Sequence, residues 1–412
     1  MVQSSSQRER TIMKQDIRLY FGIIHKLFRE IIPGSNDTVK KQLKHLIEEL
    51  KADGFEKEAK MLNNVLITNS AKNELMPIKV LKSNLGFCGE ELTKAVSIPV
   101  NKETGAQILE VTFVADLPGV SPVFSEAIVK AISSILTEWS NADKLINKGL
   151  EPVRSCLIYG APGTGKTQLA LWMAKQLGLP VVTARLDGLM SSYLGTTSKN
   201  IGNLFDFANR YKCLLLLDEF DAIAKFRADN QEIGEIKRVV NTLLQNMDTR
   251  KQNGFTIGIT NHPKLLDPAV WRRFDIQIEI PNPSREVLQQ IVQSKLGAIK
   301  LKPSQIKFLS WLIDGGTGAD ADVLTRWVKK AKIVIGNVFD SEFYTLVQEF
   351  IFLNAGRVNR TNANIVMQDD RKVLTKELSQ SQYKFTGTEI SEVLSVDKST
   401  ISRIKALKNK NS

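Results

Sequence analysis

The 412-residue sequence predicts an α/β fold: a parallel sheet covered by helices on both faces and followed by a helical lid, with an α+β domain before it and a small helical domain after it. Three observations predict it. The run Ser155–Tyr159 feeds directly into Gly160-Ala161-Pro162-Gly163-Thr164-Gly165-Lys166-Thr167, a glycine-rich turn that opens a helix. A second apolar run, Cys213 to Leu217, ends in Asp218-Glu219. Around these, strand-like and helix-like segments alternate, as they do where each strand is followed by a crossover helix.

The elements follow in order. Residues 1 to about 9 are polar. From Thr11 to Ile32 apolar residues recur at helical spacing until Pro33-Gly34 stops them, and further helices are predicted over Thr38–Leu50 and Glu56–Leu66. Strands are expected at Ser97–Val100 and Gln107–Ala115 around an Asn101–Gly105 turn, so 1–115 reads as an N-terminal α+β partner-recognition domain. A helix over Val123–Ile146 precedes the strand at Ser155–Tyr159. Helices at Lys166–Leu177, Asn200–Asn209 and Gly234–Met247 then alternate with strands at Pro180–Ala184, Lys212–Leu217, Phe255–Thr260 and Gln277–Ile280, which makes 116–283 the large α/β domain. Helical patterning from Ser284 to about Leu353 and a polar stretch over 354–370 give a lid and linker, 284–370. Residues 371–412 read as a compact helical unit with a basic end.

Bulk composition narrows the setting. The chain is too long for one ordinary core, and 42% hydrophobic with 24% charged residues is a soluble globular composition. A net charge of +12 fits contact with nucleic acid or acidic surfaces without requiring either. Three cysteines form no disulfide framework, and Cys156 and Cys213 fall in strands, where they act as small hydrophobes; a reducing cytoplasm is expected. No apolar run follows Met1, and no run of about 20 apolar residues exists, so neither a signal peptide nor a membrane span is expected. The three histidines, His25, His45 and His262, assemble no zinc motif and no hydrolytic triad.

The glycine-rich turn has the composition of a phosphate cradle. Gly160, Gly163 and Gly165, with Pro162 and Thr164 between them, let the backbone close around an anion where side chains would clash, and the helix that follows adds its N-terminal amides. Lys166 supplies charge to the β- and γ-phosphates of ATP, and Thr167 a hydroxyl ligand for Mg²⁺. At the end of the second run, Asp218 would hold Mg²⁺ or its water and Glu219 would polarise the attacking water.

Residues 145–325 resemble the classical AAA branch of the AAA+ ATPases, and the arginine spacing is similar to that of the short meiotic clade, whose members sever microtubules or disassemble membrane-remodelling filaments. Asp218-Glu219-Phe220-Asp221 resembles that branch's second motif, and Thr260-Asn261-His262-Pro263 followed by Leu265-Leu266-Asp267-Pro268-Ala269 is similar to its first sensor. The resemblance implies a P-loop AAA+ fold with a helical lid, ATP and Mg²⁺ as cofactors, and Asn261 as the sensor of the γ-phosphate. It places Arg272 and Arg273, in Arg272-Arg273-Phe274-Asp275, as arginines reaching a neighbouring subunit's site; the insert that separates them in many relatives is missing, so both are named. Thr317-Gly318-Ala319-Asp320 resembles the second sensor, with Gly318 and Ala319 leaving room for adenine. Arg227 is a further candidate for communication between subunits. The likeness also implies a homo-oligomer, hexameric when active, in which Tyr193 and Leu194, within Ser192-Tyr193-Leu194-Gly195-Thr196, line a pore that grips polypeptide. Asn230–Lys237 would form a second pore loop.

The tail offers another partner. The run from Phe385 to Ile404 resembles a helix-turn-helix: Ile390, Leu394, Val396, Ile401 and Ile404 face inward, and Lys398, Ser399, Thr400, Ser402 and Arg403 would face DNA. Lys405, Lys408 and Lys410 follow with no acid after Asp397. The expected function is an ATP-hydrolysing ring that remodels or threads a protein partner, in a prokaryotic defence or plasmid/phage context with a separate partner enzyme. The alternatives are a DNA-binding ATPase regulating transposition, replication or transcription, and an ATP-gated scaffold. The presence of Glu219 and both arginines counts against the scaffold.

Overall fold

The computed structural model describes residues 45–50, 55–56, 59–60, 62, 89–101, 105, 107–185, 194–221, 233–250 and 254–406, with only the backbone at 185, 194–196, 233–238, 337 and 405–406. The predicted helix over Thr11–Ile32, Tyr193, Arg227, Asn230 and the lysines at 408 and 410 lie outside these residues. The chain divides into two compact units, Met1–Ile78 and Lys79–Ser412. Within the first, residues 45–50 are helical, and Ile47, Leu50, Phe55, Ala59 and Leu62 are buried.

The second unit is built on a six-stranded sheet: β1 (Glu110–Thr112), β2 (Ser155–Tyr159), β3 (Val181–Arg185), β4 (Leu214–Asp218), β5 (Phe255–Thr260) and β6 (Ile276–Glu279). The spatial order is β1-β3-β4-β5-β2-β6, with every pairing parallel except that of β1 with β3. Successive strand residues face opposite sides, so a strand covered on both faces must be apolar throughout. β4 meets that requirement: Leu215 and Leu217 enter one core with Leu157, Val182 and Ala184, while Leu214 and Leu216 are equally buried on the other side.

Helices α1 (Glu126–Ser140), α2 (Ala142–Ile146), α3 (Lys166–Leu177), α4 (Leu194–Arg210), α5 (Ile233–Arg250) and α6 (Pro268–Trp271) complete this layer. α4 and α5 pack on each other over the Leu215 face, and α3 packs on β4 and β5. The single helix expected over Val123–Ile146 breaks at Asn141, whose φ of −113° and ψ of 16° leave the helical region while its side chain donates back to the Thr137 carbonyl at 2.9 Å. α4 starts six residues before the expected Asn200. α5 runs on to Arg250, a buried guanidinium that donates to the carbonyls of Ala208 and Cys213.

The expected boundary at 115 is replaced by a different division. β1 pairs Glu110, Val111 and Thr112 with Thr183, Val182 and Val181, and Leu92, Ile108 and Leu109 are buried in the sheet's own core. Leu92 and residues 107–115 therefore belong to the α/β layer, because an edge strand satisfies its backbone groups by pairing with β3.

Beyond the sheet lie α7 (Arg285–Leu296), α8 (Pro303–Leu312), α9 (Gly318–Ile335), α10 (Phe339–Leu353), α11 (Arg360–Met367), α12 (Arg371–Gln380), α13 (Gly387–Leu394) and α14 (Lys398–Ala406). One hydrophobic core runs through all of them, from Leu288 to Ile401. The polar linker expected over 354–370 is instead packed structure: Val358, Ala363 and Val366 are buried, and α11 lies within it. Its asparagines are polar because they satisfy α8, with Asn362 Nδ2 donating to the Trp311 carbonyl at 2.7 Å and the Asn359 amide to that of Leu312 at 2.9 Å. Among the described residues no helix is long and apolar enough to cross a membrane.

Candidate active site

Strand β2 delivers the chain into a loop that only glycine allows at its ends. Gly160 has φ 148°, and a Cβ there would lie 2.1 Å from the Ile280 carbonyl oxygen, while the Ile280 amide donates to the Tyr159 carbonyl at 2.7 Å. Gly165, at φ 95°, precedes the first residue of α3, whose leading N–H groups have no intrahelical partner and suit an anion. Within the loop the Thr164 hydroxyl donates to the Ala161 carbonyl at 2.9 Å. The buried Lys166 ammonium donates to the carbonyls of Gly160 (2.9 Å) and Ala161 (2.7 Å). Burial holds its pKa below the ordinary lysine value, against the opposing pull of Asp218 and Asp221.

Strand β4 brings the carboxylates to the same end of the sheet. The Thr167 hydroxyl donates to Asp218 Oδ2 at 3.4 Å, and Asp218 Oδ1 accepts from the Glu219 amide at 2.8 Å. Glu219 has φ 55°, a left-handed conformation that costs a non-glycine residue roughly 1–3 kcal/mol where it persists. The chain is held there by its neighbours. The Phe220 amide donates to the Ile259 carbonyl at 2.8 Å, and its buried ring meets Phe274 edge-on at 5.7 Å. Buried Asp221 then accepts from the Thr260 hydroxyl at 3.1 Å and the Asn261 amide at 3.4 Å. Asp221 thus stitches the carboxylate strand to the strand bearing Asn261. In the sequence it stands only as part of a motif, although an acid buried three residues after Asp218 signals such a tie.

Lys166, Thr167, Asp218, Glu219 and Asn261 line a cavity of about 900 Å³, which also touches Pro162, Gly163, Gly318 and Ala319. Such a volume suits a nucleotide-sized ligand. The lid closes it: a Cβ on Gly163 (φ 80°) would fall 2.8 Å from Thr317 Oγ1 and 2.9 Å from Ala319 Cβ. α9 starts beside the loop through a capping box in which Thr317 and Asp320 bond each other's backbone.

One wall has no counterpart among the sequence expectations. Pro118 to Phe124 faces the loop across the cavity, together with Ile291, Lys295 and Lys329 of the lid. Trp172 Nε1 donates to Ser121 Oγ at 3.1 Å and Lys175 Nζ to the Leu117 carbonyl at 2.9 Å, so α3 holds this wall as well as the loop. Its sequence signal is slight: an apolar Val120 set among Pro118, Gly119 and Pro122.

Arg272 and Arg273 do not line the cavity. The backbone of Arg273 meets the start of β2, where the Ser155 hydroxyl donates to its carbonyl at 3.3 Å and Asp275 Oδ2 accepts from the amides of Arg154 and Ser155 at 3.0 Å each, while the Trp271 ring packs on Tyr159 at 5.2 Å. The phosphate loop leaves the other end of the same strand, about 15 Å away at roughly 3.3 Å per residue. Arg272 is exposed, and Arg273 pairs with Asp248 at 3.3 Å. Leu194 is the first residue of α4. Lys398, Ser399, Thr400, Ser402 and Arg403 are exposed on α14, remote in the sequence from the loop but carried on the lid's core.

Residues 156–282 match the family model described as "ATPase family associated with various cellular activities (AAA)". The AAA family ATPase y4kL of Sinorhizobium fredii (strain NBRC 101917 / NGR234) is 40% identical over 173 residues, 42% of this chain and 52% of that protein, so the match spans about half the length of this relative. Among solved structures, the AAA domain of FIGL-1 in complex with ADP covers 56% of this chain and 78% of its own at 25% identity, with a TM-score of 0.44. A second structure of the FIGL-1 AAA domain covers 74% and 92% at 22% identity, also with a TM-score of 0.44. The chain carries, in the layer that holds the glycine-rich loop, Asp218 and Asn261, an AAA+ ATPase domain that binds and hydrolyses ATP.

Proposed function

We propose that copies of this chain assemble into a ring, hexameric when active, that uses ATP hydrolysis to remodel or thread a protein partner. The observation that carries this reading is the position of Arg272 and Arg273, tied to the start of β2 while their own phosphate loop leaves its end. Neither arginine lines the cavity of its own copy, and on this reading the guanidiniums serve an ATP bound to an adjacent copy. There they offset charge on the transferring phosphoryl oxygens, an effect worth roughly 10³–10⁵ in rate where it has been isolated.

Within one copy, the loop amides and Lys166 hold the phosphates, and Gly318 and Ala319 lie against the nucleotide from the lid. Glu219 orients the attacking water and takes its proton as the water oxygen bonds to the γ-phosphorus and the bond to the ADP oxygen breaks. Asn261 positions that water and the γ-phosphate. Thr167 and Asp218, a hydroxyl and a carboxylate 3.4 Å apart, would hold a Mg²⁺ ion. When bound, the ion neutralises charge on the β- and γ-oxygens.

Tyr193 and Leu194 would grip extended polypeptide at the ring's centre, and the N-terminal unit would choose the target. The setting we favour is the cytoplasm of a prokaryote, beside a separate partner enzyme in a defence, plasmid or phage context. Mass photometry of Glu219→Gln with ATP tests the assembly. A closed six-copy particle that traps ATP is expected; monomers at every concentration together with undiminished hydrolysis would overturn the proposal.

A further inference from the structure

α13 and α14 share the lid's core and differ in charge. On α13, Glu389 accepts from Lys307 Nζ at 2.9 Å and Glu392 accepts from Ser304 Oγ at 2.6 Å, so both acids of the helix are spent tethering it to α8. Burial pushes the Glu389 carboxyl up, but the Thr386 amide and the Lys307 ammonium outweigh it and hold the group below the ordinary carboxylate range. Ile390, Val393, Leu394 and Ile401 fill the shared core. The chain turns between the helices through Ser395, at φ 52° and ψ 42°, and the Ser391 hydroxyl donates to the Val396 carbonyl at 2.6 Å to close the turn.

α14 presents the opposite character. Ile401 is buried and Ile404 half-buried on its inner side, whereas Lys398, Ser399, Ser402 and Arg403 share the outer side at helical i, i+4 spacing and are all exposed. From Lys398 to Ala406 the helix contains Lys398, Arg403 and Lys405 and no acid; Asp397 precedes its first turn and shares a surface hollow with Asp340, Glu392, Lys398 and Ser399. This outer face has cations and small hydroxyls but no aromatic or aliphatic anchor. Protein interfaces depend on such anchors, whereas a helix in the major groove of B-form DNA needs the polar and cationic set found here. The deep, narrow major groove of RNA would not admit it.

The second relevant fact is mechanical. α14 packs on α12 and α13, α13 on α8 and α10, and α10 on α9, all within one core, and α9 begins at the phosphate loop, where the Ala319 amide donates to the Gly163 carbonyl at 3.0 Å. No linker separates the helix that touches the nucleotide loop from the helix that carries the cationic face.

We propose that the outer face of α14 is a docking surface for duplex DNA, and that its affinity follows the nucleotide held at the phosphate loop because lid and tail move as one body. This rests on the ATP-site reading above.

The test is a fluorescence-anisotropy titration of the full chain with a random-sequence duplex at low salt, with ADP, with a non-hydrolysable ATP analogue and without nucleotide. The wild type is expected to bind, with affinities in the ATP-analogue and ADP states that differ at least threefold. Lys398→Ala/Arg403→Ala should weaken binding at least tenfold, while its unchanged ATPase rate reports an intact fold. The slope of log affinity against log salt should become shallower by about 0.9 for each phosphate that the variant leaves unneutralised. No binding, or binding that survives this double substitution, would overturn the docking surface. Equal affinity in all three nucleotide states would overturn the coupling. Lys166→Ala separates the two readings: if it leaves ATP-analogue binding intact, the ATP-site reading fails, whereas α14 fails only by the duplex measurements.

Discussion

The backbone amide of Ala319, in the first turn of α9, donates to the carbonyl of Gly163 in the phosphate loop at 3.0 Å. This bond joins the lid to the segment that cradles phosphate, and the approach is possible because Gly163 has no side chain: a Cβ would collide with Thr317 and Ala319. Gly163→Ala must therefore both strain a backbone at φ 80° and push the lid away. We expect at least a tenfold loss in affinity for an ATP analogue by isothermal titration calorimetry, with secondary structure by circular dichroism unchanged.

Asp221 holds the Asn261 strand to the carboxylate strand from within the core. Replacing it with alanine leaves the Thr260 hydroxyl and the Asn261 amide without this buried acceptor, a loss of about 1–3 kcal/mol per unsatisfied group. A lower urea midpoint and a fall in kcat larger than the change in KM are expected for Asp221→Ala. Asp221→Asn, which keeps an acceptor oxygen, should recover most of the stability.

Lys166 gives a pH signature. In the nucleotide-free structure burial depresses its pKa, so the ammonium loses its proton before an ordinary lysine, near pH 10.4, would. Phosphate charge at the site favours the protonated form and raises the value again. In the window just below the ordinary lysine pKa, ATP binding therefore takes up a proton, and affinity falls as pH rises through the bound-state value. Calorimetry in buffers of different ionisation enthalpy measures this uptake, which should vanish in Lys166→Met if the protein retains residual binding.

Some of this architecture is legible in the sequence for local reasons. β2 and α3 have the bounds that the sequence predicts because Gly165 and Gly178, both left-handed, punctuate the helix at its two ends. β5 is legible as a strand from the alternation of Phe255, Ile257 and Ile259 with Thr256, Gly258 and Thr260. The pairing of β1 with β3 is not legible, because alternation says that a strand exists and not which sheet will take it. Residues 354–370 read as linker for a related reason: Asn359 and Asn362 are polar in composition, yet their backbone and side chains bond the carbonyls at the end of α8. In the site, the contiguous residues from Gly160 to Thr167 can be read directly, and Asp218 and Glu219 from the strand that ends in them. The wall from Pro118 to Phe124 carries no pattern that points to phosphate or base, and only tertiary structure brings it to the loop.

The central claim is that the ATP site is completed by arginines from another copy. Mixing two variants tests it most directly. Arg272→Ala/Arg273→Ala keeps an intact phosphate loop without the guanidiniums, and Lys166→Ala keeps the guanidiniums beside a disabled loop. Each alone is expected to hydrolyse ATP at least a hundredfold more slowly than the wild type, and an equimolar mixture to recover a substantial fraction of wild-type activity that grows with total protein concentration. A mixture no more active than the mean of its two components, or an arginine double variant with wild-type turnover, would contradict the account.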